Sequence, residues 1–286
     1  MQRFKILHRT YYNFSGPVQL GPHTMLMRPR EGHELRIEHS NLTTIPPATI
    51  RWHRDVEDNA VAIATFDVAA SQLSIESEAI VQQFDQMPLD FLVADYAQDY
   101  PFTYRSDDEA VLAPYRGVVT GPPNEEAQVD EWVRRLWQPS ERIETYTLLQ
   151  RLASRIQQAI SYRLREEPGV QSPAESISRE TGSCRDSAFL FMEAARRLGL
   201  AARFVSGYTN SPPSALNFGA THAWAEVFLP GAGWKGFDPT LGQLVGGNHI
   251  PVAVARLPNL VPPVAGSFKG PAGARLDVGV WVTPLP

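Results

Sequence analysis

The sequence predicts an α+β chain of two domains, with the order strands, linker, helices, strands. Three observations predict it. Up to about residue 85, short runs alternate apolar and polar residues. From about residue 127 the apolar period lengthens to about 3.6, the spacing of a helix. After about residue 200 the alternation returns. Residues 1–85 therefore read as a β-rich, sandwich-like N-terminal domain, 86–125 as a Pro-rich connecting region, and 126–286 as a core closed by a C-terminal strand.

Taken in order, "RFKILHRTYYNF" has the β-branched and aromatic content of a strand, which the Gly and Pro of "PVQLGPH" interrupt. In "ELRIEHSNL", Leu35, Ile37 and His39 fall on one face and Arg36, Glu38 and Ser40 on the other. "VEDNAVAIATFDV" turns at Asp58-Asn59, since Asp and Asn tolerate left-handed conformations. "QLSIESEAIVQQF" supplies another strand. The connecting region carries Pro88, Pro101, Pro114, Pro122 and Pro123, with Tyr100, Phe102 and Tyr104 placed to pack. "EAQVDEWVRRLWQ" and "TYTLLQRLASRIQQAISYRL" have helical spacing, the second with a stripe of Leu148, Leu149, Leu152, Ile156 and Ile160. "SCRDSAFLFMEAARRLGL" is a third helix that stops at Gly199 behind Arg196 and Arg197. "AARFVSGYT", "THAWAEVFLP" and "GWKGFDPT" read as strands, "VARLPNLVPPVAGSFKGPAG" as loop, and "RLDVGVWVTPL" as the last strand.

Composition excludes several function classes. A net charge of −5 over 286 residues argues against general affinity for nucleic acid or an anionic membrane. No run reaches the roughly 18 apolar residues of a membrane span, and "MQRFKILHRTYYNF" lacks the apolar stretch of a signal peptide. A single cysteine permits no internal disulfide, so the expected compartment is the cytoplasm. No cofactor motif is present. "HELRIEH" does not make a zincin pair, because the position four after His33 is Ile37; no metal site is assigned, and His33 and His39 are read as strand residues. In "GSFKG" the Ser stands one place too early for a nucleophile elbow.

The chemistry-bearing stretch is "ETGSCRDSAFLF", with Cys184, the one cysteine, at the start of a helix. Alone, such a thiol is more often a buried small hydrophobe. As a nucleophile it needs the positive end of a helix, an imidazole to take its proton, and a third group to fix the imidazole. Gly182 and Ser183 suit a tight strand-to-helix entry, with Ser183 as N-cap. Asp186 suits the helix dipole but repels a thiolate, a field that Arg185 partly offsets. Of seven histidines, His222 opens "THAWAEVF", sharing a face with Trp224, Glu226 and Phe228, while Trp234, Gly236 and Asp238 share a face of "WKGFDPT". A three- or five-residue connection makes the two faces coincide. In the five-residue register Asp238 lies opposite Trp224 and diagonal to His222, about 7–8 Å apart and within side-chain reach; in the three-residue register it lies directly opposite His222. An even-length connection would separate the two faces.

These blocks, "GSCRDSAFLFMEAARRLGLAARFVSGY" and "THAWAEVFLPGAGWKGFDPT", resemble the core of the transglutaminase-like superfamily of papain-type thiol enzymes. "YNFSGPVQLGPHTMLMRP" and "RDVEDNAVAIATF" resemble the β domain that precedes this core in bacterial members, and "NHIPVAVARLPNLVPPVAGSFKG" the segment that follows it. Ser187 and Ala60 depart from the family's more usual aromatic and glycine. The resemblance implies a papain-like core of helices packed on an antiparallel sheet. It also implies a Cys-His-Asp triad falling on Cys184, His222 and Asp238, with Tyr162 where the family has an aromatic near the site. Tyr162, Ser183 and Trp224 are the further cleft or oxyanion candidates, beside the backbone N–H of Cys184.

The implied activity is thiol-dependent amide hydrolysis, by a peptidase or amidase working through a thioester acyl-enzyme on a peptide or protein amide. Alternatives are protein-glutamine transamidation and a catalytically silent peptide-binding module, and the β domain could dock a protein partner with either. Residues 209–220, "TNSPPSALNFGA", are placed to border the cleft.

Overall fold

A computed structural model describes residues 1–84, 87–165, 167–210 and 220–286. Its largest unit is a seven-stranded antiparallel sheet in which four of the six pairings run through one strand, β1 (Gln2–Met25). The other N-terminal members are β2 (Leu35–Ile45), β3 (Thr49–Arg54), β4 (Ala60–Thr65) and β5 (Ala69–Gln83), in the order β2-β5-β1-β4-β3. Val18, Leu20, Met25, Ala62, Ala64, Leu73 and Ile75 form its own small core.

Three expectations are corrected here. "PVQLGPH" does not interrupt the first strand: the register shifts between Asn13 and Val18 against β5, and the chain stays extended. Gly and Pro are tolerated at such irregularities because a bulge requires no ladder bond from them. In β2 a further bulge pairs Ile37 with Val81 but His39 with Ile80, so His39 leaves the face of Leu35 and Ile37 and is exposed. The C-terminal strand takes its hydrogen-bonded partner in the N-terminal sheet, while its Val282 still packs into the main core cluster. Residues 264–285, much of whose beginning reads as loop, form β15 (Val264–Lys269) and β16 (Ala274–Leu285), and both pair with β1.

The connecting region holds more structure than its prolines suggest. Helix α1 (Ser106–Arg116) lies within it, with Asp107, Asp108 and Glu109 in its first turn, where they complement the dipole. Tyr100 and Tyr104 pack as expected: both are buried, and their hydroxyls donate to Leu198 O at 2.8 Å and Phe228 O at 2.9 Å. A two-residue β6 (Asp99–Tyr100) pairs with β7 (Ile143–Glu144).

The core packs α3 (Thr145–Ala159) and α5 (Cys184–Arg197) on a five-stranded antiparallel sheet, with α2 (Pro123–Arg134) and α4 (Pro173–Arg179) against α5. That sheet contains β10 (Ala202–Thr209), β11 (Ala220–Leu229), β12 (Gly233–Asp238), β13 (Gln243–Leu244) and β14 (His249–Ala255), in the order β13-β12-β11-β10-β14. The stripe on α3 is real: Leu148, Leu149, Leu152 and Ile156 join one cluster with Ala188, Leu190 and Phe191 of α5 and Ala223, Ala225 and Val227 of β11. Phe191 stacks on Phe237 at 5.5 Å, which ties α5 to β12. Gly199, at φ 80°, ends α5 in the left-handed conformation that favours glycine. Among the described residues no helix is long and apolar enough to cross a membrane.

Candidate functional site

The site begins where α5 does. Two short parallel strands, β8 (Ser161–Tyr162) and β9 (Thr181–Gly182), pair Tyr162 with Gly182 two residues before the thiol. A Cβ on Gly182 would stand 3.0 Å from Asp186 Cβ, so a larger residue would have to push Asp186 aside where the strand turns into the helix. Cys184 is half-buried at the first helical position, where its N–H has no intrahelical acceptor.

Asp186 is fully buried and ties this entry together. Its Oδ2 accepts from the Ser183 N–H and hydroxyl, both at 2.8 Å, and its Oδ1 accepts from Gln171 N–H at 2.7 Å and from Arg165 at 2.8 Å. Burial opposes the charge, but these donors outweigh it and hold the carboxyl below its ordinary range. The counter-charge is thus Arg165, not Arg185. The Arg185 guanidinium instead donates to the carbonyls of Arg165 and Glu167, each at 3.2 Å. Ser183 drops out as an oxyanion donor, because its hydroxyl and its N–H are both spent on Asp186.

The imidazole comes from the hairpin β11–β12. Phe228 pairs with Trp234 and Ala225 with Phe237, so one step further Asp238 lies level with Trp224 and diagonal to His222, the register with crossing side chains. The diagonal is closed: His222 Nε2 lies 2.7 Å from Asp238 Oδ2. The other ring nitrogen, Nδ1, is buried with no partner of hydrogen-bonding geometry among the described residues. The Cys184 thiol is near enough to favour the charged ring. Burial works against the imidazolium, but Asp238 and Cys184 together push its pKa up to about 10. Asp238 is held well below the ordinary carboxylate range, burial again being outweighed by the two imidazoles it faces.

The second imidazole is His249, which the sequence reading did not single out. Its Nε2 lies 3.0 Å from the same Asp238 Oδ2. Its only signal is a histidine opening the alternating "HIPVAVA", and nothing in the spacing directs it to Asp238. His222, Asp238 and His249 bring three ligand-type atoms within 4.8 Å of one another, but here both Nε2 atoms bond the one carboxylate oxygen.

Trp224 is not an exposed cleft wall. It is 1% exposed, clusters with Val205 and Val254, and stands edge-on to His249 at 5.3 Å. Its benzo edge crosses Gly207, where a Cβ would meet the ring at 2.5 Å. Tyr162 is half-buried beside Cys184; burial and the neighbouring thiolate push its phenol up to about 12, against the pull of Arg185. Of the stretch 209–220, residues 211–219 lie outside the described residues.

The arrangement can hold a thiolate at a helix N-terminus against an imidazolium that a carboxylate supports from behind. Comparison with known proteins shows what the two parts of the chain resemble. Residues 4–82 match the bacterial transglutaminase-like N-terminal region, and residues 132–239 match the transglutaminase-like superfamily. An uncharacterised protein of Mycobacterium tuberculosis is 29% identical over 294 residues, covering 99% of this chain and 93% of its own. One from Mycobacterium leprae is 24% identical, with 100% of each chain covered. A crystal structure from Cytophaga hutchinsonii, provisionally named a cysteine protease, superposes with a TM-score of 0.73 at 18% identity, over 100% of this chain and 91% of that one.

Proposed function

Because the chain belongs to the transglutaminase-like superfamily of thiol-dependent enzymes, with the bacterial N-terminal region ahead of its core, we propose that it is an amide hydrolase, a peptidase or amidase working through Cys184. The observation that carries the proposal is His222, buried with Nε2 on Asp238 and Nδ1 left for the thiol. In the proposed reaction the Cys184 proton passes to His222 Nδ1, and the sulfur attacks the carbonyl carbon of a peptide or protein amide. The tetrahedral oxyanion lies at the start of α5, where the Cys184 N–H can donate. The C–N bond breaks as His222 returns the proton to the leaving amine, leaving a thioester. Water, giving its proton to His222, attacks the thioester; the thiol leaves and takes that proton, releasing the acid. Asp238 stabilises the imidazolium throughout and stays ionised.

The first test is the rate of Cys184 alkylation by iodoacetamide between about pH 5 and 9, in wild type and His222→Ala. Fast labelling that persists below about pH 7 and collapses in the variant is expected of a Cys-His ion pair. An ordinary thiol titration that ignores the mutation would overturn the reading. Peptide amides then report turnover, with an added primary amine distinguishing capture of the thioester by water from capture by amine.

A further inference from the structure

His249 touches the proposed machinery without having a part in it so far. It is 2% exposed at the head of β14. Its Nδ1 accepts from the Gly246 N–H at 3.4 Å, which leaves the ring proton on Nε2, and that N–H donates to Asp238 Oδ2 at 3.0 Å. Trp224, at 78° to the ring, restrains its rotation. On the other side of the carboxylate, Oδ1 accepts from the N–H groups of Thr240 at 2.9 Å and Leu241 at 3.2 Å. The backbone therefore pins one oxygen, and His249 is the donor that keeps the second turned toward His222.

What holds His249 lies partly in the other half of the molecule. One side of β14 pairs with β10. The N-terminal part grips the strand from outside. Asn59, fully buried at the end of its turn, accepts from Val254 N–H at 2.9 Å and donates to Val254 O at 2.8 Å, as a paired strand residue would. The Arg30 N–H donates to Pro251 O at 2.8 Å, and Gln83 Nε2 donates to the carbonyl of His249 itself at 3.1 Å.

We infer that His249 is a positioning residue for the carboxylate behind the catalytic imidazole, and that the N-terminal region serves the site by holding the strand that carries it. The inference rests on the Cys184–His222–Asp238 reading. It gives the N-terminal region a task in the chemistry beyond any docking role. Loss of the His249 donor frees Oδ2 to swing from His222, the imidazolium loses support, and the thiolate forms only at higher pH.

The test uses the full chain as wild type, His249→Leu and His249→Gln, the last placing an amide N–H near the position of Nε2. Two quantities are read: the pH dependence of Cys184 alkylation, and the titration midpoint of the His222 ring by NMR. In His249→Leu the alkylation rate at about pH 6 should fall about tenfold, with the acidic limb of the profile moved to higher pH and the His222 midpoint lowered. His249→Gln should recover most of both, and Asn59→Leu should move both in the same direction by less. A Leu variant with an unmoved limb, or a Gln variant no better than Leu, would make His249 a packing residue and overturn the inference. If alkylation ignores His222→Ala, the hydrolase reading falls, and the His222 midpoint alone decides: lowered in Leu and restored in Gln upholds the positioning role, while equal midpoints refute it.

Discussion

Asp186 and Asp238 are both 0% exposed and both held below the ordinary carboxylate range, yet they are balanced in different ways. Asp186 faces the Arg165 guanidinium, two backbone amides and a hydroxyl. None of those partners changes charge near neutral pH, so the cluster is a fixed joint. Asp238 faces two imidazoles and two backbone amides. One imidazole has a free nitrogen toward a thiol, so this carboxylate can answer a moving proton. Depth of burial does not separate a structural acid from a chemical one. The titratability of the partners does.

The sharpest way to break this contrast is Asp238→Asn. The carboxamide fits the same space, but its NH2 can donate to His222 Nε2, which forces the ring proton onto Nδ1, where it blocks acceptance from Cys184. Turnover should fall by about 10⁴-fold, the scale seen when a triad acid is made an amide, an effect larger than the accompanying loss of stability. An Asn variant that retains wild-type turnover would remove Asp238 from the chemistry.

Asp186→Leu should do the reverse. It strands the Arg165 guanidinium and leaves the Ser183 and Gln171 amides unsatisfied, at a cost of about 3–5 kcal/mol, read as a lowered denaturant midpoint. If stability holds and only the alkylation profile shifts, Asp186 would belong with Asp238.

A smaller effect separates the two in their dependence on pH. The His222 pKa is raised to about 10 from 6.5, so its contribution to stability is complete below about pH 6.5 and disappears as pH rises through about 10. The two lowered carboxyls contribute above the ordinary carboxylate pKa of about 3.9 and lose that contribution as pH falls toward their folded values. Wild type should therefore lose stability between about pH 6.5 and 10, and His222→Gln should flatten that slope without changing the acid limb set by Asp186. Parallel curves for the two proteins would show that the imidazole is not coupled to Asp238.

Local rules explain what the sequence reveals of the site. Cys184 follows from a helix start, and His222 with Asp238 from alternation along two strands and the register of one hairpin. Non-local pairing hides the rest. His249 reaches Asp238 only because β14 pairs with β10 on the far side of β11, and no spacing along the chain encodes that neighbour. The last strand reads correctly as a strand, but its apolar alternation fits any sheet edge, and β1 is the partner it takes. Asn59 reads as a turn residue; its two bonds to Val254 exist only once both halves are folded. Helix α1 is obscured by Pro114, which suggests a break where the helix continues.

The two arginines near the thiol provide the finest test of the contrast. Adjacency along the chain points to Arg185 as the offset to Asp186, but the β8–β9 pairing brings Arg165 there instead. Arg165 is largely buried against a fully buried acid, at 16% and 0% side-chain exposure. Arg165→Gln should cost about 1–3 kcal/mol, because the fully buried Asp186 loses the charged partner of one of its hydrogen bonds. Among the described residues Arg185 donates to two carbonyls, at 3.2 Å each, and Arg185→Gln should stay within about 0.5 kcal/mol of wild type. Denaturant midpoints of the two variants, side by side, check the order. If Arg185 proves the costlier loss, the fixed joint at the head of α5 is held by sequence neighbours after all, and Asp186 is more open to its surroundings than its four bonds imply.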